Sequence, residues 1–85
     1  MSSSSTTPRV TLYGRPGCHL CDDARIVIEQ VCAELGESYR EVSIDDDPGL
    51  QERFANEIPV TFVDGRQHDF WRVSPDRLRR ALTGG

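Results

Sequence analysis

Two cysteines separated by two residues, Cys18-His19-Leu20-Cys21, open a long helical pattern directly after a short apolar stretch and a turn. The stretch is Val10-Thr11-Leu12-Tyr13 and the turn is Gly14-Arg15-Pro16-Gly17. Cysteines three positions apart on the first turn of a helix are neighbours on its surface and can touch. A thiol at a helix N-terminus also meets unpaired backbone N–H groups and the positive end of the helix dipole, which favour its thiolate. Strand, C-x-x-C turn and helix in that order point to thiol–disulfide chemistry.

The rest of the chain supplies a small layered domain around that unit. Arg9 to Tyr13 reads as the first strand. From Leu20 to Leu35 the apolar residues Leu20, Ala24, Val27, Val31 and Leu35 fall on one helical face, widened by Ile28 and Cys32, and Gly36 is placed to stop the helix. Tyr39 to Ile44 alternates with the period of a strand. Asp45 to Gly49 holds an acidic cap followed by Pro48 at a first helical position, so a short helix carrying Leu50 and Phe54 follows, with Ile58 at its exit. Val60 to Val63 is a third strand, Asp64-Gly65 a hairpin turn, and Gln67 to Val73 a fourth strand. Ser74-Pro75-Asp76 caps a last helix with Leu78, Ala81 and Leu82. The predicted order is β-α-β-α-β-β-α. A helical crossover makes the first two strands parallel, and the tight turn makes the last two antiparallel. The expected fold is α/β, a mixed four-stranded sheet with helices on both faces. Residues 1–8, polar and of low complexity, are expected to form a disordered tail ahead of one domain over residues 9–85.

At this point the chain resembles the glutaredoxin branch of the thioredoxin fold. The matching residues are Tyr13-Gly14-Arg15-Pro16-Gly17-Cys18-His19-Leu20-Cys21-Asp22 and Glu57-Ile58-Pro59-Val60. More closely, it is similar to small bacterial glutaredoxin-like proteins with a Pro-Gly-Cys-His-Leu-Cys-Asp signature. The resemblance implies that Cys18 is the nucleophile and that Cys21 resolves the mixed disulfide. It also implies a cis bond before Pro59, a proline facing the C-x-x-C, and substrate pairing with the backbone beside it at Ile58. Arg15 stands where glutaredoxins usually carry a lysine, a position from which an anion can be held. Two departures are visible. The Gly-Gly turn that serves glutathione in glutaredoxins is replaced by Trp71-Arg72-Val73-Ser74-Pro75-Asp76, and the usual C-P-Y-C is here C-H-L-C.

Several side chains have two readings. His19 and Arg15 add positive charge near Cys18 and would tune its acidity, while Asp22 and Asp23 oppose them. Cys21, one turn inside, is expected to be more buried and less acidic than Cys18. Trp71 either lines a partner groove or is a half-buried strand tryptophan. Cys32 lies eleven residues beyond Cys21 on the same helix, roughly 16 Å along the axis. A disulfide needs Cα atoms within about 7 Å, so Cys32 is expected to be a buried apolar residue. Asp45-Asp46-Asp47 reads as a solvated helix cap, and Arg77, Arg79 and Arg80 as a solvated face.

Function classes narrow accordingly. Net charge is −4, which disfavours a nucleic-acid partner. All ten basic residues are arginine, which leaves no lysine for Schiff-base chemistry. The longest apolar run is Ile26-Val27-Ile28, far too short to span a membrane. No basic segment followed by an apolar one precedes the domain, so a cytoplasmic location is expected. C-x-x-C supplies only two metal ligands where structural zinc takes four, so no metal and no bound cofactor are expected. The reading is a monomeric thiol–disulfide oxidoreductase acting on a disulfide-containing protein or small molecule. Its reductant would be glutathione, another low-molecular-weight thiol, or a thioredoxin-reductase-type donor. The rivals are a metal or iron–sulfur cluster carrier and a redox-inactive thioredoxin-fold interaction module.

Overall fold

The computed structural model describes residues 8–54 and 57–84. The expected tail lies, apart from Pro8, outside the described residues. The elements run β1 (Val10–Gly14), α1 (His19–Leu35), β2 (Tyr39–Ser43), a 3-10 turn (Ile44–Asp46), α2 (Pro48–Phe54), β3 (Val60–Val63), β4 (Arg66–Phe70) and α3 (Pro75–Thr83). The sheet order is β2-β1-β3-β4. β1 and β2 are parallel, with Leu12 opposite Glu41 and Gly14 opposite Ser43. β3 runs antiparallel to β1, with Tyr13 opposite Val60, and β4 runs antiparallel to β3. The mixed four-stranded sheet is therefore the one the element order predicts.

Strand alternation sorts side chains to the two sheet faces. On one face Val10, Leu12 and Val63 pack with Ala24, Ile28, Val31, Leu78 and Leu82 of the long helices, all buried. Fully burying one such large side chain stabilises by about 1.5–3 kcal/mol, so this layer is the main apolar core. On the other face Tyr13, Phe54 and Phe62 form a three-ring cluster with centroids 5.2–5.9 Å apart. That spacing suits tilted and edge-to-face ring contacts.

The helix ends follow their local chemistry. Asp47 Oδ1 accepts the Gly49 N–H at 2.8 Å and so caps α2. Ser74 Oγ accepts the Arg77 N–H at 3.3 Å at the start of α3. Gly36 closes α1 in the left-handed conformation, φ 71°, and the Glu37 N–H donates to the Cys32 carbonyl at 2.8 Å.

Two expectations need correction. The fourth strand begins at Arg66 and stops at Phe70 instead of running from Gln67 to Val73. Trp71 has a positive φ of 66°, a conformation no strand contains, so the chain turns out of the sheet there and Val73 reaches the core from outside it. The arginines of α3 are also more than a solvated face. Arg79 reaches across to Glu34 of α1 with contacts of 2.7 and 3.1 Å and also meets Asp76 at 2.9 Å.

Candidate active site

The site sits where the C-terminal end of β1 meets the N-terminus of α1. Gly17 takes φ 79°, a left-handed conformation open to glycine without penalty, and turns the chain into the helix. Cys18 is the N-cap, in extended conformation, and its carbonyl accepts the Asp22 N–H at 3.1 Å. Its sulfur accepts the Cys21 N–H at 3.3 Å. Cys18 thus fills the role that Ser or Asp usually plays, with a thiol in place of the capping oxygen. It is partly exposed, whereas Cys21 is fully buried.

Burial pushes the Cys21 thiol up to about 11, and its hydrogen bond to Cys18 adds to that, while a backbone hydrogen bond from Arg15 pulls the other way. Both thiols are free. The two sulfurs therefore differ as an attacking and a reserve thiol would, one at the surface on the helix cap and one held protonated beneath it.

Pro59 is fully buried and the Ile58–Pro59 bond is cis. It lies one residue beyond the Tyr13–Val60 pair, which brings it to the same sheet end as the C-x-x-C loop. Ile58 is half-buried beside it. The Pro59 carbonyl accepts the Trp71 N–H at 2.7 Å, and Trp71 is 52% exposed. Trp71, Arg72 and Val73 form one wall of a cleft of about 200 Å³ whose other wall is Asp23, Ala24 and Val27 of α1. Trp71 lies one residue past the end of β4, so it is not a strand residue.

The remaining candidates are spread around the loop. His19 is exposed on the first helical turn. Arg15 is exposed, with Nε 3.3 Å from Asp45 Oδ1. Asp22 is held by Arg25 at 2.8 Å, and the same guanidinium meets Glu41 of β2 at 2.9 Å. One guanidinium is thus shared by two carboxylates, which offsets part of their negative charge beside the loop. Cys32 is 3% exposed in the core, and burial raises its pKa. Among the described residues no group of three or more His, Cys, Asp or Glu could hold a metal ion. No helix among them is long and apolar enough to cross a membrane.

Two residues of the site were not singled out from the sequence. Arg25 could have been suspected from its i,i+3 spacing to Asp22. Gly14 was read only as a turn residue, yet it lies against the Cys21 sulfur.

Residues 9–83 match the family described as Glutaredoxin-like domain (DUF836). The chain belongs to that family, and its fold is the thioredoxin-like fold. An uncharacterised protein of Mycobacterium tuberculosis is 34% identical over 77 residues, which cover 85% of this chain and 79% of that protein. A structural-genomics target protein from X. campestris, solved by X-ray, is 35% identical with a TM-score of 0.74, covering 89% of this chain and 97% of that one. The holo form of glutaredoxin C1 from poplar shares the fold at 20% identity and a TM-score of 0.54, covering 92% of this chain and 77% of that one. The family and the fold together support a redox type of function.

Proposed function

We propose that the protein is a thiol–disulfide oxidoreductase working through the Cys18–Cys21 dithiol. The observation that carries this is the asymmetry of the pair, an accessible Cys18 capping α1 over a buried Cys21 whose N–H donates to its sulfur. The Cys18 thiolate attacks one sulfur of a substrate disulfide. That S–S bond breaks, a mixed disulfide forms, and the first substrate thiolate leaves. Cys21 then loses its proton to the departing thiolate or to water and attacks the Cys18 sulfur. The Cys18–Cys21 disulfide forms and the second substrate thiolate leaves, so two electrons pass from the protein to the substrate.

Arg15, Ile58, Pro59 and Trp71 are read as the substrate-binding set, and His19, next to Cys18 in sequence, as the residue that tunes its thiol. No bound cofactor is needed. The oxidised pair is reduced by glutathione, another low-molecular-weight thiol or a thioredoxin-reductase-type donor. The protein is read as a cytoplasmic monomer.

The test is a redox titration. The protein is equilibrated in thiol/disulfide buffers, trapped with an alkylating agent, and its labelled cysteines are counted by mass. A reversible two-electron transition at roughly −200 to −270 mV is expected, within the range of thioredoxin-like and glutaredoxin-like reductants. Absence of a Cys18–Cys21 disulfide under oxidising buffer overturns the reading and brings forward the metal-carrier and interaction-module rivals.

A further inference from the structure

The resolving thiol rests against a residue with no side chain. A Cβ built on Gly14 would lie 2.8 Å from Cys21 Sγ and 3.3 Å from Cys21 Cβ. Real Cβ atoms essentially never approach a neighbour within 3.0 Å. Chain neighbours aside, no other heavy atom of the described residues, Cys18 included, would come within 4 Å of that Cβ. Gly14 is a β1 residue without a positive φ, so the backbone there does not ask for glycine. It is buried and paired with Ser43 in the sheet. Space for one sulfur atom is what distinguishes glycine from alanine at this position.

We propose that Gly14 is a positioning residue for the resolving step, its missing side chain forming the seat in which the Cys21 sulfur rests while the pair is reduced. The inference rests on the dithiol reading above. In the reduced protein the Cys21 sulfur is lodged against the end of β1. Forming the disulfide requires it to close to about 2.05 Å from the Cys18 sulfur. Cys18 belongs to the helix cap and lies beyond the reach of a Gly14 side chain, so a methyl group there crowds Cys21 alone. Crowding is greatest in the seated, reduced form. Its closer part, the 2.8 Å contact with the sulfur, is the part relieved when the sulfur moves to Cys18, whereas the 3.3 Å contact with the Cys21 Cβ stays in both forms. A side chain at position 14 therefore drives the pair toward the disulfide and makes the protein more reducing.

The experiment compares wild type and Gly14→Ala in the same thiol/disulfide titration. The expected result is a shift toward the disulfide of about five-fold or more in the exchange equilibrium constant. For a two-electron couple that is about 20 mV more negative, since ten-fold corresponds to about 29.6 mV. A purely structural role would lower stability without moving the potential. An unchanged potential, or a shift in the oxidising direction, overturns the seat. If wild type forms no Cys18–Cys21 disulfide, the dithiol reading and the seat fail together, whereas a normal wild-type titration with an unshifted Gly14→Ala variant sinks the seat alone.

A double-mutant cycle covers the case in which Gly14→Ala folds poorly. Cys21→Ala removes the sulfur that the new methyl would strike. Gly14→Ala should lower the melting temperature more in the wild-type background than in the Cys21→Ala background, where only the 3.3 Å contact with the residue 21 Cβ remains. An equal loss in both backgrounds places the effect elsewhere and overturns the proposal.

Discussion

The Trp71 backbone N–H donates to the Pro59 carbonyl at 2.7 Å, which ties the exit of β4 to the proline loop beside the C-x-x-C. Trp71 holds that position at φ 66°, a conformation a bulky side chain rarely adopts, while presenting a half-exposed ring at the cleft beside α1. Residues kept in sparsely populated backbone regions gather at functional sites. Trp71 is one of the residues that line that cleft.

Trp71→Gly should retain the fold, because glycine takes the left-handed backbone readily, while losing the ring. Its kcat/KM with a protein disulfide should fall about ten-fold, a loss of about 1.4 kcal/mol in transition-state binding. Its rate with a small aliphatic disulfide should stay near that of wild type. Steady-state assays with the two substrates check this, and equal losses on both would remove Trp71 from partner recognition.

Cys21→Ser should halt exchange after the first attack. The variant should accumulate a mixed disulfide through Cys18, visible by mass as one substrate thiol per chain and released by reductant. Cys18→Ser should form none. Cys32, buried in the core, should resist alkylation in the native state of both variants.

The second step should carry a pH signature. Burial holds the Cys21 thiol well above the ordinary value of 9.0, at about 11 in the reduced protein. Once Cys18 is tied up in a mixed disulfide, its hydrogen bond to Cys21 is gone but the burial remains. Release of the second substrate thiol should therefore accelerate about ten-fold per pH unit with rising thiolate fraction, without levelling off below about pH 9. Rapid-quench measurement from acid to alkaline pH tests this. For stability the sign is opposite. A raised thiol pKa stabilises the reduced fold fully below 9.0, and that contribution is lost as pH rises toward about 11.

The core offers a magnitude. Ile28 of α1 is fully buried in one cluster with Leu12 and Leu78, so Ile28→Ala should lose about 2–5 kcal/mol in urea unfolding. A loss below about 1 kcal/mol would mean the site collapses around the deletion, contrary to a close-packed interior.

One arginine closes the far end of the molecule. Arg9 meets both carboxylate oxygens of Asp64 at 2.8 and 2.9 Å, Glu37 at 3.0 Å and the Leu82 carbonyl at 2.9 Å. It thereby joins the start of β1 to the β3–β4 turn, the segment after α1 and the end of α3. Arg9→Ala should lower the melting temperature, and about 1 M salt should shrink the difference by screening its charged part. Arg9 also holds the Asp64 carboxyl below its ordinary 3.8. That contribution is present above pH 3.8 and disappears as pH falls through the lower folded-state value, so the variant should lose less stability on acidification than wild type.

Most of the architecture was legible because it is written in local patterns. The helical spacing from Leu20 to Leu35, the Asp47 and Ser74 caps and the Asp64-Gly65 turn each act within a few residues, and each element appears where its pattern lies. The fourth strand was misjudged at its end because Phe70-Trp71-Arg72-Val73 looks continuous in composition. The left-handed backbone at Trp71, one position past the Val60–Phe70 pair, turns the chain out of the sheet, while its N–H to the Pro59 carbonyl extends the β3–β4 register by one last rung. Arg9 was likewise unreadable, since its partners lie 28, 55 and 73 positions away.

The sequence alone determined that two cysteines open a helix after a strand, with one at the cap and the other a turn inside. Those relations depend only on helix periodicity and on the residues around Gly17. The tertiary structure decided what makes the two sulfurs unequal. Pairing of β1 with β2 and β3 buries Gly14, and packing of α1 over that strand end sets Cys21 against it, while the β3 register delivers Pro59 and then Trp71 to the same edge. Desolvation and steric fit are properties of surroundings, and surroundings form only when distant segments meet.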